Sequence, residues 1–115
     1  MNLIKASRGD VWMLDLDPTP GREQAGRRPG LVVSADPLNH GPAGLVVVVP
    51  LTTRERGIPF HVRIDPDEGG PKQVSFAKCE DVRSVSADRL IRRMGRIGPQ
   101  TMYHVEEALR ILLDL

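Results

Sequence analysis

Leu45-Val46-Val47-Val48-Val49, set between Gly44 and Pro50, decides the fold class, together with Leu31-Val32-Val33-Ser34 just after Pro29-Gly30. Both runs are short, apolar and rich in β-branched residues, and glycine and proline bound them. They read as two buried strands joined by a turn region, Asp36 to Gly44, which holds Pro37, Asn39, Gly41, Pro42 and Gly44.

Upstream, Val11 to Leu16 alternates imperfectly, which predicts a first strand with its Trp12, Leu14 and Leu16 face inward. Asp17 to Pro29 then carries Pro18, Pro20, Pro29, Gly21 and Gly26, so it reads as a long loop. Unstructured loops of about a dozen residues are uncommon in small domains and are often functional. Downstream, Phe60, Val62 and Ile64 alternate with His61 and Arg63, the pattern of a half-buried strand, and Gln73 to Val85 forms another extended run. Ser86 to Leu90 has an N-cap serine and suits one helical turn, and Arg93 to Ile97 returns as a last strand.

The C-terminal segment changes period. Gly98-Pro99 is a helix entry with proline in the first turn. Met102, Val105, Leu109 and Leu112 then form an apolar stripe of helical spacing, and Glu106 and Arg110 are placed to pair at i,i+4. Short strands followed by one amphipathic helix predict an α+β, mainly β, barrel-like domain spanning residues 1–115.

Composition narrows the function. Apolar residues make up 40% of the chain, but its aromatics are Trp12, Phe60, Phe76 and Tyr103, so the core rests on Val, Leu and Ile. The net charge of +1 supplies no bulk attraction to nucleic acid, so any such binding must come from local basic surface. Gly21 to Pro29, with Arg22, Arg27 and Arg28, and Arg89 to Arg96, with Arg89, Arg92, Arg93 and Arg96, are the two basic segments. The one cysteine, Cys79, excludes an internal disulfide and a cysteine metal cluster, and reads as a small buried side chain. No apolar run approaches the length of a membrane span and no signal-peptide pattern is present, so a cytoplasmic protein is expected. His40, His61 (on the outward side of its strand) and His104 read as ordinary structural or surface histidines, and Asp65-Pro66-Asp67-Glu68 as a solvated turn.

Arg8-Gly9-Asp10-Val11-Trp12, Leu16-Asp17-Pro18, Gly21-Arg22-Glu23-Gln24-Ala25-Gly26-Arg27-Arg28-Pro29, Val49-Pro50-Leu51-Thr52-Thr53, Pro59-Phe60 and Cys79-Glu80-Asp81-Val82-Arg83 occur in that order. In this respect the chain resembles the MazF/PemK/Kid family of toxin endoribonucleases. The resemblance implies an SH3-like barrel of antiparallel strands with a C-terminal helix, working as a homodimer. It also implies cleavage of single-stranded RNA without a metal or other cofactor, and restraint by a cognate antitoxin protein.

Metal-free RNA cleavage uses the substrate's 2′-hydroxyl as nucleophile and leaves a 2′,3′-cyclic phosphate and a 5′-hydroxyl. It needs a proton acceptor, a proton donor and fixed positive charge beside the phosphoryl oxygens. The resemblance places Arg28 and Thr52 at the scissile phosphate, and Lys78 and Glu80 at the positions of an acid–base pair. Lys78 stands where some relatives have arginine, and Glu80 where they have aspartate. Arg22 replaces a histidine of some members, and arginine suits phosphate binding better than proton transfer. Glu23, Gln24 and Asp81 can read base edges, and Thr53 and Ile58 flank the expected site, so these and Arg22 are the expected substrate-binding residues. A CcdB-like toxin that binds DNA gyrase and a non-catalytic SH3-like RNA-binding or scaffold module are the alternatives, and the Arg28–Thr52 pair separates the ribonuclease from the gyrase poison.

Overall fold

The computed structural model describes residues 5–16 and 26–115. The elements are β1 (Asp10–Asp15), β2 (Arg27–Val32), α1 (Asp36–Asn39), β3 (Leu45–Thr52), β4 (His61–Ile64), β5 (Ser75–Lys78), β6 (Arg83–Ser86), β7 (Leu90–Arg96) and α2 (Pro99–Leu113). Short 3-10 turns, Cys79–Asp81 and Ala87–Arg89, precede β6 and β7. All the strand pairings are antiparallel, in the order β4-β5-β3-β2-β1-β7, with β6 also paired to β3.

The unbroken apolar run of β3 has a physical reason: both of its faces are covered. Val46 and Val48 join Trp12, Leu14, Leu16, Val32, Val85 and Leu90 in a core that β6, β3, β2, β1 and β7 wrap. Val49 and Leu51 point the other way, into a second core with Val11, Leu31, Ile64, Ala77 and Cys79 that α2 closes with Val105 and Ala108. The inward Trp12 face of β1 is present, and Val11 on its opposite face is equally buried because the second core lies there. Burying side chains of this size contributes roughly 1.5–3 kcal/mol each.

Several sequence expectations are refined. Arg27 to Pro29 belong to β2 rather than to the loop before it, and the turn region after Ser34 contains the one-turn helix α1. The extended run from Gln73 to Val85 is split by the turn Cys79–Asp81. The last strand starts at Leu90, three residues before the expected Arg93, because it pairs with β1 as far as Leu14. Ser86 caps the second turn as expected, accepting from the amide of Asp88.

Of the predicted stripe of α2, Met102, Val105 and Leu109 pack on the second core, whereas Leu112, near the end of the helix, is half-buried outside it. Arg110 pairs with Glu107 rather than Glu106, because Arg8 at the start of the barrel takes the Glu106 carboxylate. Glu68 leaves the solvated turn around Asp65 and Asp67 to accept the amide of Gly98 at 2.9 Å. Gly98 is the N-cap of α2, so a carboxylate sits at the positive end of the helix.

Candidate active site

Four segments meet at one cleft of about 260 Å³, lined by Arg28, Thr52, Thr53, Arg54, Arg56, His61 and Lys78. The strand register explains the meeting. Gly30 lies opposite Pro50 in the β2–β3 ladder, and continuing that antiparallel register brings Arg28 beside Thr52, the last residue of β3. On the other edge of β3, Thr52 lies opposite Phe76 of β5, and Lys78, two residues on, lies opposite His61, the first residue of β4. The chain leaving β3 turns back over the cleft, with Thr52 Oγ1 accepting from the Arg54 amide at 3.2 Å.

The turn Cys79–Asp81 gives this rim its second feature. Leu51 faces Ala77 and Val48 faces Arg83, so a step of three residues on β3 is matched by six on the opposite chain. The surplus residues leave the ladder. Glu80 Oε2 lies 2.7 Å from His61 Nε2, and Lys78 Nζ lies 2.9 Å from Asp81 Oδ2. The His61 side chain is 3% exposed, whereas Glu80 is partly open to solvent at 31%. Among the described residues, the buried His61 Nδ1 has no hydrogen-bond partner. Cys79 points into the core, where burial and then the Glu80 charge push its thiol up to about 12.

Of the expected site residues, Arg28, Thr52, Thr53 and Lys78 line the cleft. Glu80 and Asp81 stand beside it, engaged by His61 and by Lys78. The Asp81 carboxylate is thus occupied by an ion pair. Ile58 is half-buried in the segment before β4 and does not line the cleft. Arg22, Glu23 and Gln24 lie outside the described residues.

His61 corrects the sequence reading. Alternation along β4 puts it opposite the Val62 and Ile64 face, and that face, at the start of the strand, is covered by the cleft rim rather than by water. Only the His61–Lys78 register would have revealed this. Arg54 and Arg56, not singled out from the sequence, add two cations to the rim. His40, bonded to the Ala6 carbonyl, and His104, bonded to Gln100, have the ordinary roles expected of them. Among the described residues, no three His, Cys, Asp or Glu side chains come together as a metal site.

The cleft can therefore hold a polyanion against Arg28, Arg54, Arg56 and Lys78, with a hydroxyl at Thr52 and a carboxylate–imidazole pair at its edge. Comparison with known proteins agrees. Residues 7–113 match the family model described as PemK-like, MazF-like toxin of type II toxin–antitoxin system. The chain is 35% identical over 113 residues to Endoribonuclease MazF9 of Mycobacterium tuberculosis, covering 94% of this chain and 96% of that one. It is 35% identical over 109 residues to Endoribonuclease EndoA of Bacillus subtilis, covering 94% of both. The crystal structure of MazF from Deinococcus radiodurans superposes with a TM-score of 0.84 at 27% identity, covering 97% of this chain and 99% of that one. A mycobacterial endoribonuclease in complex with its cognate antitoxin gives 0.80 at 29% identity, with 96% of each chain covered. A likeness that runs through nearly the whole length, in sequence and in fold, shows that the chain belongs to the PemK-like, MazF-like toxin family of type II toxin–antitoxin systems.

Proposed function

We propose that this chain is a single-domain toxin endoribonuclease that cleaves single-stranded RNA by attack of the 2′-hydroxyl on the adjacent phosphorus. The observation that carries the reading is the convergence of Arg28 and Thr52 across the β2–β3 ladder in a cleft rimmed by further cations. The planar fork of Arg28 meets two phosphoryl oxygens at once and neutralises the charge that builds on them. The Thr52 hydroxyl holds the scissile phosphate. Glu80 takes the 2′ proton, and Lys78 faces the leaving 5′-oxygen as proton donor. Arg54 and Arg56 grip flanking phosphates. Arg22, Glu23, Gln24, Thr53, Ile58 and Asp81 belong to the substrate-reading surface, with Asp81 doing so through its hold on Lys78.

The chain acts in the cytoplasm, as a homodimer, and is held inactive by a cognate antitoxin. Exposed Tyr103, Ile111, Leu113 and Leu115 on and after α2 support an assembled form. Among the described residues, no helix is long and apolar enough to cross a membrane.

The test is cleavage of a defined single-stranded RNA by the purified chain in EDTA. Fragments with 5′-hydroxyl and 2′,3′-cyclic phosphate ends are expected. Arg28→Ala should slow cleavage by about 100-fold or more, and Thr52→Ala by about 10-fold or more. Wild-type rates in both variants would remove the proposed site, and loss of cleavage in EDTA would remove the metal-free chemistry.

A further inference from the structure

His61 lines the cleft without a part in the chemistry proposed for it, and its geometry is unusual for a structural histidine. Its side chain is almost fully buried, yet among the described residues the ring makes one hydrogen bond, from Nε2 to the Glu80 carboxylate at 2.7 Å. A carboxylate acceptor at Nε2 places a proton on that nitrogen, so in the neutral ring Nδ1 carries the lone pair. Among the described residues, that buried lone pair has no hydrogen-bond partner. An apolar side chain would fill the same space without leaving an unpaired nitrogen, so packing alone does not explain a histidine here.

Glu80, for its part, stands on surplus residues outside the β3 ladder, where neighbouring strands do not fix its direction. Lys78 is already engaged by Asp81, and Cys79 faces the core. Among the described residues, the hydrogen bond from His61 is the contact that aims the Glu80 carboxylate.

We propose that His61 is a positioning residue for RNA cleavage. Its Nε2–H holds one oxygen of Glu80 and so presents the other to the 2′-hydroxyl, as the orienting partner of a base does in other acid–base sites. The inference rests on Glu80 being the proton acceptor. The proton moves from the 2′-hydroxyl to Glu80 while the 2′-oxygen bonds to phosphorus and the 5′-oxygen departs. His61 keeps its own proton throughout.

The test compares His61→Phe, His61→Gln, His61→Asn, Glu80→Gln and the double variant His61→Phe/Glu80→Gln in the full-length chain. The substrate is a short single-stranded RNA carrying one cut site mapped with the wild type. Glu80→Gln and His61→Phe should each lower kcat by about 10- to 100-fold with KM within about twofold, and the double variant should fall no further than Glu80→Gln, as expected for groups acting as one unit. A glutamine amide reaches the Nε2 position and an asparagine amide the Nδ1 position. His61→Gln should therefore cleave at least about fivefold faster than His61→Asn at similar melting temperatures. This polar pair carries the test even if His61→Phe does not fold.

Equal rates for the glutamine and asparagine variants, or losses that multiply in the double variant, would overturn the positioning role. A wild-type rate in Glu80→Gln would instead overturn the choice of Glu80 as base, and the inference with it. A wild type that cuts no RNA would overturn the ribonuclease reading on which both rest.

Discussion

Leu14 Cδ1 lies 2.3 Å from where a β-carbon on Gly30 would stand. The glycine is thus what lets β2 lie against the Leu14 side chain, two residue pairs along from the Trp12–Gly30 match in the β1–β2 ladder. The same residue anchors the Gly30–Pro50 pairing from which the Arg28–Thr52 juxtaposition follows. Core packing and site geometry therefore share one position.

Gly30→Ala should destabilise the chain by about 1–3 kcal/mol through overpacking, and lower cleavage through displacement of Arg28. Denaturant unfolding and single-turnover cleavage check the two effects. Trimming the opposing side chain, in Gly30→Ala/Leu14→Ala, should recover part of the activity. A lone Gly30→Ala variant as stable and active as wild type would contradict the packing account.

Glu68 and the N-cap Gly98 lead to a different outcome. Removing the carboxylate in Glu68→Ala takes away both a hydrogen bond and a favourable charge at the start of α2, which together contribute about 1 kcal/mol. The melting temperature should fall by about 4 °C, with kcat on RNA unchanged, because α2 closes the second core and not the cleft.

Arg54 and Arg56 differ from Arg28 in what they should do to binding. In each alanine variant, affinity for a 2′-deoxy single strand, which cannot be cleaved, should weaken. The slope of log K against log salt should also become shallower by about 0.7 for each phosphate that is no longer neutralised. An unchanged slope would place these side chains off the strand's path.

The buried Cys79 thiol, pushed up to about 12, should resist iodoacetamide in the folded chain at about pH 8 and react on unfolding. The linkage has a definite sign. The folded chain holds the thiol proton more tightly than the unfolded one, whose ordinary value is 9.0. The stability this contributes is full below about pH 9 and is lost as pH rises toward about 12. Denaturant midpoints measured from neutral to alkaline pH should fall less in Cys79→Ala than in the wild type.

The valine run of β3, the alternation of β4 and the stripe of α2 are legible because burial imposes a period on the sequence. The two-sided burial of β3 is not, since an unbroken apolar run looks the same whether one core or two cover it. Thr52 is legible as a motif residue and Arg28 likewise, but the reason they meet lies in a register between strands, which no local pattern encodes. His61 escapes the sequence for the same cause: alternation separates two faces of a strand without saying which is wet. Glu106 goes to Arg8 instead of Arg110 because a partner from the barrel, distant in sequence, competes with the helical neighbour. Arg54 and Arg56 sit in a segment without periodicity, so only the folded chain shows them at the cleft.

The surplus residues at Cys79–Asp81 separate two kinds of constraint that most strand positions must satisfy together. A residue in the ladder answers to its neighbours on both sides, and changing it disturbs their packing. Glu80 and Asp81, set off from the ladder, answer chiefly to His61 and Lys78. Position 80 can therefore exchange glutamate for aspartate while the strands beneath stay as they are. The bulge is in that sense a place where chemistry can drift without the scaffold having to follow.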